Sequence, residues 1–297
     1  MAFPPAAPSG RFSWLHPTTP LARGQRAVLL GLIVVTVGAW AMTTHQARTM
    51  DMPMGVVARG GAENDAADMA GMAASGMAGM AQAGWTLDAF ATFLGAWAVM
   101  MTAMMFPAAA PMLLLLRTVH AQRRSHGGAF VPTWVFAAGY LLVWTAVGGI
   151  TWILVQLGSA LAGRLGSAER GTWAPLGLGA VLALAGLYQV TPLKRVCLDH
   201  CRTPLGFVMT HWREGRLGAL RMGLVHGAYC LGCCWALFAV LVAAGVMSLA
   251  WMALLTLVVF AEKVLPVGRG TSRAVGAAFL ALGALVASGA VAMPWTA

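Results

Sequence analysis

Long apolar runs separated by short polar stretches dominate this chain. Seven of them are long enough to read as membrane-crossing helices: 25–43, 87–116, 130–156, 174–191, 222–246, 249–266 and 272–292. A helical span needs about 20 largely apolar residues. The pattern therefore predicts an all-α, polytopic transmembrane helix bundle of seven spans. The first run, Ala27 to Met42, is long for a secretory signal, and Thr43-Thr44-His45 offers no small-x-small cleavage site, so it reads as a retained span. The second run exceeds one membrane thickness and contains Pro107 and Pro111. Proline removes a backbone donor and clashes with the preceding turn, so a kink or break is expected there.

The polar stretches complete the layout. Residues 1–24 read as a proline-bearing disordered tail and 25–43 as the first transmembrane helix. Residues 44–86 read as a Met-rich outside loop, and 87–297 as a six-helix core. Composition agrees with a membrane protein: 59% of residues are hydrophobic, 9% are charged, and mean hydropathy is +0.75. Soluble domains carry about 25% charged residues, so a water-soluble globule is excluded. The net charge of +10 would suggest nucleic acid in a soluble protein. Here it reads as basic cytoplasmic loops facing a lipid bilayer, with no nucleic-acid partner. With the N-terminus cytoplasmic, 15 of the 19 Lys and Arg lie inside and four outside. The seven-span count then puts the C-terminus outside. Trp85, Trp134, Trp152, Trp173 and Trp251 fall near the expected interfaces. No internal repeat, phosphate-binding glycine loop or Ser-His-Asp set stands out, and an ATP-driven pump in this chain alone is excluded.

All five cysteines fall into two groups. Cys197 and Cys201 are spaced i, i+4 at the inside end of the fourth run. His226, Cys230, Cys233 and Cys234, early in the fifth run, are spaced i, i+4, i+7 and i+8. At about 100° per residue, the second set shares one helix face. An antiparallel pairing of the two runs brings the groups to similar depth beneath the cytoplasmic face. A single membrane cysteine is ordinarily a small packing residue. Five thiols and an imidazole in two such frames favour a metal or redox site, because polar groups at membrane depth are costly. Thiolate and imidazole donors suit Cu(I), with Zn(II) as the other candidate.

Methionine adds a second soft donor. Met101, Met105 and Met112 lie in a narrow arc, flanked by Met100 and Met104. Thioether sulfur carries no charge to bury and suits Cu(I). The competing reading is gap-filling in a helix interface. Met101 and Met105 are retained as candidate ligands. Met50-Asp51-Met52-Pro53-Met54 in the outside loop would suit Cu(I) capture, and equally reads as linker. Glu262 reads first as a counter-ion for Lys263 or a nearby Arg, with Lys263 snorkelling to the interface. His120, His126, His200 and His211 read as solvated or interfacial.

Several motifs carry a family resemblance: Met100-Met101-Thr-Ala-Met104-Met105-Phe-Pro107, Tyr188-Gln189-Val-Thr191-Pro192-Leu193-Lys194 and Cys197-Leu-Asp-His-Cys201-Arg202. So do His226-Gly-Ala-Tyr229-Cys230-Leu-Gly-Cys233-Cys234-Trp235, Gly245-Val-Met247 with Trp251-Met252-Ala, and Glu262-Lys263. Over about residues 85–275 the chain resembles an uncharacterised bacterial family of predicted metal-binding integral membrane proteins. That resemblance implies a multispan inner-membrane protein with a metal site and no settled activity; the Met-rich loop lies outside its pattern. The leading functional expectation is Cu(I) binding in copper handling: transport, relay, or delivery to a membrane or periplasmic metalloprotein. The alternatives are a membrane thiol-disulfide oxidoreductase using Cys230-x-x-Cys233, or a structural subunit of a larger complex. Covalent c-type haem is excluded by the lack of Cys-x-x-Cys-His. An enzymatic role is the less favoured reading.

Overall fold

Nine helices and no strands make up the described residues. The structure is a computed structural model describing residues 20–49, 85–125, 131–162, 164, 167–244 and 248–291. The tail before Pro20, most of the Met-rich loop, His126 and Gly245-Val-Met247 lie outside them. In chain order the helices are α1 (Pro20–Thr49), α2 (Leu87–Ser125), α3 (Thr133–Ala162), α4 (Ser167–Gln189) and α5 (Pro192–Arg202). Then come α6 (Pro204–His211), α7 (Gly215–Ala244), α8 (Leu249–Val264) and α9 (Gly268–Ala287).

Five of these, α1, α2, α3, α7 and α9, are long and apolar enough to cross a membrane, and a sixth crossing arises if α4 and α5 are one broken span. The bundle is thus compatible with membrane insertion. Residues 249–266, expected as a full span, form the 16-residue helix α8. At 1.5 Å per residue it is about 24 Å long, short of an apolar core about 30 Å thick.

The helices pair through small residues. α3 lies along α7, α4 along α9 and α1 along α2. At the first contact, a Cβ on Gly223 would collide with the Phe136 carbonyl, and one on Gly139 with the Leu220 carbonyl. At the second, Gly179 and Gly186 face Gly283 and Gly276. A Cβ at Gly186 would stand 2.7 Å from the Gly276 oxygen. Close backbone approach through small residues is how membrane helices gain packing without a hydrophobic driving force. α1 turns Leu30, Val34 and Val37 outward, each more than 60% exposed.

Of the kink or break expected at Pro107 and Pro111, the break does not occur: α2 runs through both prolines. Proline at 107 leaves the carbonyl of residue 103 without its helical donor. The indole Nε1 of Trp40 on α1 donates to that Ala103 carbonyl at 3.1 Å. A neighbouring helix thus satisfies the freed group, as proline in a membrane helix requires. The break lies instead between α4 and α5, bent by 63°. There Pro192 occupies the first turn of α5, and the Thr191 hydroxyl accepts from the Lys194 amide at 3.2 Å. Two of the expected interfacial tryptophans are also interior: Trp152 is 7% exposed and Trp251 is 8% exposed.

Candidate metal centre

The site begins with α5. Its buried stripe is Lys194, Leu198 and Cys201, at i, i+4 and i+7. That stripe sends Cys201 inward and leaves Cys197 beside it, half-buried. Cys197 packs where a Cβ on Gly232 would be, so Gly232 admits its sulfur against α7. Tyr188 holds the same turn of α7 by donating its hydroxyl hydrogen to the Gly232 carbonyl.

From α7, Cys230, Cys233 and Cys234 turn their sulfurs into the bundle, each at most 1% exposed. Cys233 Sγ lies 3.9 Å from Cys201 Sγ and 3.3 Å from Cys234 Sγ, and its thiol donates to the Cys230 carbonyl at 3.2 Å. The Cys230 sulfur stands 4.0 Å from Met105 Sδ on α2. The two cysteine groups expected to approach one another therefore meet through Cys201. All five thiols are free. Met101 and Met105 have no exposed surface, and Met100, Met104 and Met112 are buried with them. His226 is buried beside this set, packed against the rings of Phe136, Tyr140 and Phe207. Its Nδ1 has no hydrogen-bond partner.

Two groups in the site were not singled out as such by sequence. Lys263 does not snorkel to the interface: its Nζ donates to Cys230 Sγ at 2.7 Å, and the residue is 8% exposed. Tyr140 on α3 reaches the same sulfur through its hydroxyl at 2.9 Å. Cys230 is thus the hub, met by a thioether, a phenol and an ammonium. Glu262 is likewise not the partner of Lys263. Its carboxylate accepts from Lys194 Nζ at 2.9 and 2.8 Å and from the Ser272 hydroxyl at 2.9 Å. Gln189 accepts from the same ammonium, and Arg202 donates to the Glu262 backbone carbonyl. α8 therefore sends adjacent residues to two buried clusters, one ionic and one sulfur-rich. The signal available in the sequence was a Glu-Lys pair at the end of an apolar run; the shortness of the helix that keeps Lys263 from water is visible only in the structure.

Among the described residues, no three His, Cys, Asp or Glu side chains form a ready-made metal polyhedron. The sulfurs are drawn pairwise around Cys230 and the Lys263 ammonium. Their chemistry nevertheless suits a soft cation. Two sulfurs on one tetrahedral ion with bonds of about 2.3 Å stand about 3.8 Å apart, close to the Cys201–Cys233 and Cys230–Met105 separations.

An all-helical bundle with five helices long and apolar enough to cross a membrane, enclosing a buried thiol-thioether cluster, defines the class. A family model described as "PpoB2: Copper chaperone" matches residues 94–286, well over half of the chain, and the chain belongs to that family. Membership implies copper binding and assigns the protein to copper handling. No curated protein and no solved structure matches the chain.

Proposed function

We propose that this protein is a multispan inner-membrane carrier that takes copper as Cu(I) into the sulfur cluster and delivers it to a partner metalloprotein in the membrane or periplasm. The observation that carries this reading is the burial of Cys201, Cys230, Cys233 and Met105 from three helices, with Cys201 and Cys233 sulfurs 3.9 Å apart and Cys230 and Met105 sulfurs 4.0 Å apart. Soft, largely desolvated sulfur favours Cu(I) over Cu(II), and family membership supports copper over Zn(II) as cargo. Cys234 adjoins the first coordination set; Cys197 and His226 are its reserve donors. Met101, a turn before Met105 on α2, extends the thioether path away from the cluster. The Met-rich stretch at 44–86 would present copper to that path from outside.

Seven spans with a cytoplasmic N-terminus complete the proposal, α4 with α5 counting as one and α8 as the short one. The distribution of basic residues supports this orientation. In the test, protein purified in detergent is titrated with Cu(I) against a competing chelator, and its ligand shell is read by X-ray absorption. Wild type binds copper with sulfur neighbours, and Cys230→Ser with Cys233→Ser abolishes that sulfur-bound ion. Full sulfur-bound stoichiometry in the double variant would remove the thiols from the pathway.

A further inference from the structure

We infer that His200 and His211 form a second copper-binding site, a two-imidazole port on the outer flank of the sulfur cluster, through which the ion enters or leaves the thiols. The inference builds on the copper reading and adds a site to it. Both residues were expected to be solvated or interfacial, and both rings pack on one aromatic platform. His200 stacks on Tyr229 with centroids 4.2 Å apart and planes 5° from parallel. His211 meets the edge of Tyr229 at 6.0 Å and stacks on Phe207 at 4.7 Å and 11°.

The hydrogen bonds fix which nitrogen of each ring is available. His200 Nδ1 lies 2.8 Å from the Val196 carbonyl, which can only accept, so Nδ1 carries the hydrogen. His211 Nδ1 lies 2.8 Å from the Thr210 hydroxyl oxygen. That hydroxyl also lies 2.9 Å from the Gly206 carbonyl; with its hydrogen donated there, it accepts from His211. Each neutral ring is thereby held as the tautomer whose Nε2 offers a lone pair. Metal-binding histidines are oriented in this way, by donating the other ring nitrogen to a carbonyl or hydroxyl.

The position is as telling as the chemistry. His200 precedes Cys201 and Tyr229 precedes Cys230, so the platform adjoins two of the buried thiols. The imidazoles are half-buried whereas those sulfurs are buried. A cargo site sealed among helices needs an exchange ligand between it and water, and a neutral imidazole binds Cu(I) without itself releasing a proton. The ion changes ligands here, not oxidation state.

The test uses the full chain in detergent with Cu(I) as probe. The variant Cys197→Ser, Cys201→Ser, Cys230→Ser, Cys233→Ser, Cys234→Ser is expected to keep a Cu(I) with nitrogen neighbours by X-ray absorption. Adding His200→Asn and His211→Asn removes it; asparagine keeps an N–H near the Nδ1 position but has no Nε2. Absence of nitrogen-bound copper in the thiol-free variant, or its survival after both asparagine changes, overturns the port. Should the thiol-free chain not fold, the otherwise wild-type chain carrying His200→Asn and His211→Asn decides. Stopped-flow loading of its thiols slows tenfold or more if the port exists, and an unchanged rate overturns it. Nitrogen-bound copper in a wild-type protein without sulfur-bound copper would sink the thiol reading and leave the port intact.

Discussion

Lys194 and Glu262 are each 1% exposed and face one another in bidentate contact, the carboxylate further held by Ser272. Removing one member of such a pair leaves an uncompensated buried charge, at a cost of about 3–5 kcal/mol. Glu262→Gln should therefore lower the melting temperature sharply in detergent, and Lys194→Met combined with Glu262→Gln should recover much of the loss. A double variant no better than Glu262→Gln alone would show that the pair acts through something other than charge balance. At this scale the sequence was readable where identity and spacing sufficed. The shared face of the three thiols of α7 followed from helical periodicity; Cys197 and Cys201 read alike, and the structure separates them into a half-buried and a buried thiol. The partners of the charged residues did not follow. Lys194 read as one of the inside basic residues and Lys263 as a snorkelling one, because hydropathy along the chain does not say how short a helix is or which neighbour it meets. Tyr140, one polar atom in an apolar run, gave no signal until α3 was placed against α7.

The elements hold the site by backbone contact more than by side-chain bulk. Gly223 meets the Phe136 carbonyl and the Tyr140 amide, and Gly227 packs on Val143. These contacts set how deep the Tyr140 hydroxyl reaches toward Cys230. Gly223→Val has nowhere to put its Cβ, so α3 and α7 must part. Lower thermal stability and weaker Cu(I) binding are expected together. Gly31→Val on α1 is the matched control, since nothing lies within 4 Å of a Cβ there. Equal behaviour of the two variants in a Cu(I) competition titration would mean that the α3–α7 crossing does not position the site. Helix existence was legible from apolar runs, whereas helix continuity was not. Prolines at 107 and 111 argued for a break that Trp40 averts by bonding Ala103, a contact 63 residues away in sequence. The actual bend between α4 and α5 carries the local signature of Thr191 and Pro192, overshadowed by the longer apolar pattern.

For the whole molecule the open quantity is the number of crossings, and the proposed pathway depends on its parity. If α4 with α5 and α8 both cross, the segment between α6 and α7 is cytoplasmic and the C-terminus is outside. If α8 only dips in from the outside, the C-terminus returns to the cytoplasm. If the α4–α5 pair does not cross either, the C-terminus is again outside, but the α6–α7 segment moves outside with the histidine port. Two reporter fusions separate these cases. A fluorescent protein that matures only in the cytoplasm should glow when fused after Trp212 and stay dark when fused after Ala297, where a periplasm-dependent phosphatase should be active. Charge favours this arrangement: Arg213, Arg216 and Arg221 follow α6 closely, and exporting them would reverse the bias that orients short loops. α8 is the element under strain in that scheme, at about 24 Å against an apolar layer of about 30 Å. Its Lys263 end then lies below the interface, where Cys230 rather than water receives the ammonium. In that scheme a short crossing helix and a buried lysine on the sulfur cluster go together. A glowing C-terminal fusion would separate them and require Lys263 to reach Cys230 from a helix that never crosses.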